Sequence, residues 1–243
     1  SVSAWGRAGY GGSNVPTDVV DPAIDAEVVS IASTTSAFAA LKADGSVSAW
    51  GYTTGGGSDA PPDVTAPLAG AEVIFIASTT QAFAALKADG SVSAWGLAGY
   101  GGSNVPTDVT APSAGAEVVF IASTYSAFAA LKADGSVAAW GNADYGGSNV
   151  SSEVTAPSEG AEVISIASTS SAFAALKADG SVSAWGDANS GGSSVPSDVA
   201  TPVAGAEVIS IASTTSAFAV LKADGSVSAW GDANSGGSNV PTD

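Results

Sequence analysis

The sequence predicts an all-β protein built from tandem 45-residue repeats, each a propeller-like blade of three to four antiparallel strands. Three observations carry this prediction. Six tryptophans, Trp5, Trp50, Trp95, Trp140, Trp185 and Trp230, stand 45 residues apart with no insertion or deletion. The phrase LKADGSVSAWG begins at Leu41 and returns at Leu86, Leu176 and Leu221, and at Leu131 with Ala138 in place of serine. Each repeat joins short β-branched or alternating runs through Gly- and Pro-rich connections, which is the pattern of strands and turns. The units are 1–45, 46–90, 91–135, 136–180 and 181–225, followed by a partial unit, 226–243. A linear β-solenoid or filament array is the alternative arrangement.

Within a unit the elements follow in order. AEVIFIAS, Ala71 to Ser78, is rich in β-branched residues and reads as a first strand. AFAALKA and SVSAW flank Asp44-Gly45, a pair that turns the chain in a tight hairpin because glycine accepts positive φ. The stretch STTSAFAALKADG could also form a two-turn helix, with Ser/Thr at its start and Gly past its end. Its shortness and its β-rich neighbours favour the strand. GGGSDAPPDVTAPLAG is a long connection, with room for one short edge strand at Asp63 to Thr65.

Composition narrows the function. Six Lys and Arg stand against 23 Asp and Glu, for a formal net charge of −17. Binding a phosphate backbone requires clustered cations, so nucleic acid and anionic membranes are not expected partners. No run of the sequence is long enough to span a bilayer as a helix. The chain has no Cys, His or Met. That removes disulfides, thiolate metal sites, histidine-ligated metals and the usual general base. Every group able to do chemistry is copied from unit to unit, whereas a catalytic constellation is normally unique. A non-enzymatic protein without cofactors is expected.

The pattern V-[SFV]-IAS…AFAALKADGSVSAWG…GG resembles the bacterial form of the regulator of chromosome condensation repeat, to which the propeller-type β-lactamase inhibitor protein is related. The most specific shared positions are Leu41-Lys42, Asp44-Gly45, Val47 and Ala49-Trp50-Gly51, with their copies. The resemblance covers the whole chain and implies a β-propeller, typically of seven blades, that binds partner proteins through one loop face. The sequence departs from the pattern after the WG pair, where Gly186 leads into DANSGGSS without the family's Gln. It also carries Ala or Phe where the family often has His. Ser1 to Asp18 and Ser226 to Asp243 are the same part of the unit, so they duplicate rather than complement each other. The expectation is a segment of a longer propeller-type array. A five-unit ring and a linear stack remain as alternatives.

Candidate sites follow from the repeat positions. Lys42, Lys87, Lys132, Lys177 and Lys222 share one position and are expected to face solvent beside a hairpin, the rival being a ring that holds an anion. Glu27, Glu72, Glu117, Glu162 and Glu207 recur ahead of the first strand, either solvated or paired with those lysines. Asp187, Asn189 and Asp198 echo the spacing of a calcium loop, as do Asn142, Asp144, Gly147 and Glu153; ordinary Asx turns are the simpler account. The tryptophans are expected to pack between units rather than to stack on a ligand. Tyr10, Tyr52, Tyr100 and Tyr145 lie in the loop after WG, and Tyr125 lies in an STYS turn. They are the expected binding anchors, because tyrosines on loops of a rigid scaffold make good contacts. Asn149-Val150-Ser151 is a glycosylation sequon. The chain is thus expected to be a binding scaffold for a protein or glycan, extracellular or at the cell surface. The alternative is a structural repeat protein of an extracellular filament or surface layer, partnered by copies of itself.

Overall fold

In the computed structural model, which describes residues 2–238 and 240, five three-stranded antiparallel sheets follow one another along the chain. The first sheet contains β1 (Val28–Ser33), β2 (Ala37–Lys42) and β3 (Val47–Gly51). The second has β4 (Val73–Ser78), β5 (Ala82–Lys87) and β6 (Val92–Gly96), and the third β7 (Val118–Ser123), β8 (Ala127–Lys132) and β9 (Val137–Gly141). The fourth has β10 (Val163–Ser168), β11 (Ala172–Lys177) and β12 (Val182–Gly186), and the fifth β13 (Val208–Ser213), β14 (Ala217–Lys222) and β15 (Val227–Gly231). These are propeller blades with the middle strand second in the chain. STTSAFAALKADG is a turn and a strand, not a helix. Each sheet straddles a sequence-unit boundary, because positions 45/46 and their copies fall in the second hairpin.

That hairpin is a type I turn with a glycine bulge rather than a two-residue turn. Gly45 N–H donates to Lys42 O, and Lys42 N–H to Ser46 O, both at 2.9 Å. Gly45 takes φ +76°, a conformation that a Cβ disfavours, so the glycine closes the bulge. Asp44 then accepts hydrogen bonds from both Ser46 N–H and Ser46 Oγ.

Period-two alternation on the middle strand explains why the chain is rich in alanine. Ala37, Ala39 and Leu41 turn to one face of the blade, and Phe38, Ala40 and Lys42 turn to the other. The small face of the first blade packs with Val47 against Ile76, Phe83, Ala85 and Trp95 of the second. The next three interfaces repeat this pairing of an alanine face with an aromatic face. Small side chains let adjacent sheets approach, and each buried Phe or Trp contributes about 1.5–3 kcal/mol through lost apolar exposure. Within a blade Phe83 stacks on its cross-strand partner Trp95 with ring centroids 5.2 Å apart.

The long connection contains a helical turn, Pro62–Thr65, where the sequence offers an edge strand. Pro61 precedes the turn in an extended conformation and Pro62 occupies a first-turn position, where its missing N–H costs nothing, but the copy at Ser152–Thr155 forms with no proline. The turn buries Val64 completely against the next blade. Equivalent turns bury Val19, Val109, Val154 and Val199.

The first strands of adjacent blades approach one another, which makes them the innermost strands around a common axis. Backbone bonds tie neighbouring blades at both ends of that axis. At one end Thr35 N–H donates to Thr80 O, Thr80 to Tyr125, Tyr125 to Ser170 and Ser170 to Thr215, at 2.9–3.0 Å. At the other, Val73 N–H donates to Gly45 O, with copies at Val118, Val163 and Val208, all 3.0 Å. A cavity at the axis is lined by residues from all five blades, an arrangement incompatible with a linear stack. The first and fifth blades do not cover each other: Ile31 is 47% exposed and Leu221 40%. Five blades therefore form an open arc. The partial unit 226–243 is described in part, since positions 239 and 241–243 lie outside the described residues.

Candidate functional site

The two ends of the axis differ in chemistry. One end gathers the turns between first and second strands with the loops that follow each WG pair. Thr34, Thr79, Thr124, Thr169 and Thr214 join these two elements, each donating its Oγ1 hydrogen to a loop carbonyl, Gly55, Tyr100, Tyr145, Ser190 and Ser235 respectively. Thr35 Oγ1 donates to Thr80 O at 2.9 Å and Thr80 Oγ1 to Tyr125 O at 2.8 Å, doubling the backbone bonds between blades. Ser78 Oγ likewise reaches Ser33 O of the blade before it. These hydroxyls surround an axial cavity of about 550 Å³ at whose wall Tyr125 stands. Thr34, Thr124, Thr169 and Thr214 also accept backbone N–H groups of their own turns, so the oxygens that offer lone pairs to an occupant are those of Thr35 and Thr80, whose protons are committed to carbonyls.

The five sequence-nominated tyrosines all belong to this end, on two elements. Tyr125 is 52% exposed at the tip of a turn beside the axis. Tyr10 and Tyr52 are 44% and 50% exposed and stack on each other, centroids 6.0 Å apart and 12° between planes. The Arg7 guanidinium lies 4.7 Å from the Tyr10 ring, a cation–π contact. Tyr100 and Tyr145 are half-buried and pack against the interface clusters.

Trp50, Trp95, Trp140, Trp185 and Trp230 are 2–4% exposed and offer no platform to a ligand. Each indole N–H donates to a glycine carbonyl of the preceding loop, as Trp95 does to Gly56 at 3.1 Å. That glycine has φ +90°, and a Cβ there would sit 2.6 Å from the Phe83 ring. Trp5, which stacks on no phenylalanine among the described residues, is 86% exposed.

At the far end the lysines correct the expectation of solvent-facing cations. Lys42, Lys87, Lys132, Lys177 and Lys222 are 7–8% exposed, because alternation places them on the packed face with Phe and Ala. Four ammonium groups meet Asp18, Asp63, Asp108 and Asp198 of the helical turn at 2.6–2.8 Å, and Lys177 meets Glu153 at 3.6 Å. They are neither free for an anion nor paired with the recurring glutamates. Glu72, Glu117, Glu162 and Glu207 instead accept from the backbone N–H of Gly70, Gly115, Gly160 and Gly205. Burial pushes the Asp63 carboxyl up, but hydrogen bonds from Lys87 and Ser93 and the nearby positive charge outweigh it and hold it below 3.8. Asp198 is held low by hydrogen bonds from Lys222 and Ser228.

The calcium candidates do not converge. Asp187 accepts from Ser190 Oγ at the tyrosine end, whereas Asp198 binds the Lys222 ammonium at the other. Asn142 accepts from Asp144 N–H as a local cap, and Glu153 binds Ser183 and Lys177. Among the described residues no group of three or more acidic side chains is placed to hold a metal. Sequence spacing misled here because the chain between the two aspartates crosses from one end of the blade to the other.

Two sets of residues at the axis escaped the sequence reading: the hydroxyl-bearing turns at 33–35 and their copies, and the exposed residues of the inner strands. Departure from the repeat was the available signal. One turn position reads Thr35, Thr80, Tyr125, Ser170 and Thr215, and one inner-strand position reads Ser30, Phe75, Phe120, Ser165 and Ser210.

This architecture is similar to solved propellers. No family model matches the chain, and no curated protein matches it. Prp20p of Saccharomyces cerevisiae aligns at 20% identity with a TM-score of 0.55, over 95% of this chain and 65% of that one. The structure of Kap60 bound to yeast RCC1 (Prp20) gives 19% and 0.55, over 92% and 60%. Human WBSCR16 gives 21% and 0.51, over 80% and 59%. The fold is thus an RCC1-like β-propeller repeat fold, and the chain spans about half to two thirds of the length of these structures.

Proposed function

We infer that the chain is a non-catalytic binding scaffold that recognises a protein partner at its tyrosine-bearing end. The observation that carries this is the coincidence, at one end of the axis, of a backbone-bonded arc of turns, a hydroxyl-lined cavity and exposed tyrosines. Rigid backbone with varied side chains is what a recognition surface needs: ordering costs are met in folding, and tyrosine adds contact area with few rotors. Support also comes from the fold. Prp20p, which shares it, was studied for its binding to Gsp1p and histones and has a structure with Kap60.

The test is to select peptide ligands against the immobilised chain and map them by amide hydrogen exchange. Protection is expected at positions 33–35, 78–80 and 123–125 and in the loops around 7–10 and 52. Replacing Tyr10, Tyr52 and Tyr125 together by Ala should weaken binding about a hundredfold, since aromatic anchors carry most interface energy. Unchanged binding by that variant, or protection confined to other surfaces, rejects the reading.

A further inference from the structure

The opposite end of the axis carries an apolar surface that the tyrosine end does not use. Each innermost strand contains a β-bulge. In the second blade Val73 pairs with Lys87 and Phe75 with Leu86, so Ile74 is an extra residue. The same shift leaves Val29, Val119, Ile164 and Ile209 unpaired in the other blades. A bulge re-aims side chains, and here it leaves the extra residue and its successor exposed. Val29, Ile74, Val119, Ile164 and Ile209 are 55–61% exposed, and Phe75 and Phe120 are 44% and 43% exposed. β-Branched and aromatic residues on an inner strand are ordinarily covered. Five blades in succession uncovering one aliphatic position, two of them adding a phenylalanine, make an apolar arc around the axis.

The charge around this arc is one-sided. The glutamate of each blade lies two residues before the bulged position, as Glu72 does before Ile74. The hairpin aspartate, Asp44 and its copies, is exposed at the same end, where Gly45 meets Glu72 of the next blade. The single ammonium of each blade is already bound by the helical-turn carboxylate. Each blade therefore brings three carboxylates and one ammonium to this end. The remaining cation of the chain, Arg7, sits at the other end against Tyr10.

We propose that this second end docks a basic protein segment that also carries apolar side chains. Lysine or arginine of the partner meets the glutamates and hairpin aspartates, while its apolar residues lie across Ile74, Phe75, Val119 and Phe120 between the second and third blades. Charge complementarity selects this partner. An acidic segment is repelled by the rim, and a cationic segment without apolar residues leaves the arc uncovered.

The test uses the 243-residue chain and fluorescence anisotropy with three short labelled peptides: alternating Lys and Leu, alternating Lys and Ser of the same charge, and alternating Glu and Leu. The Lys–Leu peptide should bind about tenfold tighter than the Lys–Ser peptide, lose affinity as salt rises, and outcompete the Glu–Leu peptide entirely. The double variant Phe75→Ser, Phe120→Ser changes two exposed side chains, and its fold is checked by thermal melting. It should weaken the Lys–Leu peptide about tenfold. The triple variant E72Q, E117Q, E162Q should weaken it and flatten the salt dependence, while Tyr125→Ala leaves it unchanged. Equal affinity for the Lys–Ser peptide, preference for the Glu–Leu peptide, no loss in the folded Phe variant, or no binding at all overturns the proposal. Loss of binding in Tyr125→Ala alone would also overturn it, by moving the contact to the tyrosine end.

Discussion

The interior interfaces and the two outer faces of the arc contain the same residues in the same local geometry, yet residues buried at the interior interfaces are exposed on the outer faces where nothing covers them. Leu86 is 4% exposed and Leu221 40%; Val92 is 1% and Val227 46%; Ile76 is 8% and Ile31 47%. The fifth sheet nevertheless keeps the register of the second, Leu221 opposite Val227 as Leu86 is opposite Val92. Strand pairing is therefore set inside each blade by the hairpin and the bulge. Burial is set between blades. A blade is a local solution of the sequence, while the core forms where a blade is covered, by a second blade at four interfaces and by the segment around Val19 on the outer side of the first, as in repeat proteins whose stability divides into unit and interface terms.

The largest effect expected from this contrast comes from the aromatic pairs. Phe128→Ala removes a side chain with no exposed surface and should cost about 4 kcal/mol in denaturant-melt stability, whereas Trp5→Ala should cost almost nothing. Equal losses would sink the division into covered and uncovered faces. Next, Leu131→Ala should cost about 3 kcal/mol and Leu221→Ala about 1 kcal/mol or less, measured the same way.

The hairpin glycines give a sharper version. Gly135 and Gly225 share positive φ, but a Cβ on Gly135 would strike Glu162 of the next blade, while one on Gly225 meets nothing within 4 Å. Gly225→Ala should show only the left-handed backbone cost of about 1–2 kcal/mol, and Gly135→Ala more. A difference near zero would mean that the inter-blade contact yields easily. The smallest effects concern the ion pairs. Ala138 stands where other blades have the serine that bonds the helical-turn carboxylate, as Ser93 bonds Asp63. Ala138→Ser should therefore stabilise the chain by about 0.5–1 kcal/mol. Because Asp63 and Asp198 titrate below 3.8 when folded, their pairing stabilises the protein above that pH and is lost as pH falls beneath it. An acid titration of the melting temperature should show the decline start near pH 4 and shrink in Asp63→Asn. A melting temperature flat from pH 5 to 2 would contradict it.

Much of the blade was legible in the sequence because its causes are local. The period, the Asp44-Gly45 hairpin and the third strand follow from neighbouring residues. What escaped depends on contacts far along the chain. Alternation in AFAALK already puts Lys42 on the face of Phe38, but its burial needs Asp18, 24 residues away on a helical turn. The Val and Thr of Asp63 to Thr65 read as strand, but they form a helical turn that recurs at Ser152–Thr155 with no proline, and both turns bury their valine, Val64 and Val154. The tyrosines could be named from the sequence, though not that Tyr10 and Tyr52 would stack while Tyr100 and Tyr145 pack inward. The exposed bulge residues were hidden by their own hydrophobicity, since nothing in VIFIAS marks Ile74 and Phe75 as the two left uncovered.

The arc of turns at the tyrosine end has one link unlike the rest. Thr35, Thr80 and Ser170 hold the next blade by both an N–H and a hydroxyl, but Tyr125 holds it by its N–H alone. The arc survives the substitution because the amide is common to every residue except proline. Scaffold and message are thus written in different alphabets, main chain for the first and side chain for the second. Revising one blade's contribution to recognition leaves the grip of its neighbours intact, so new specificities are reachable by single changes.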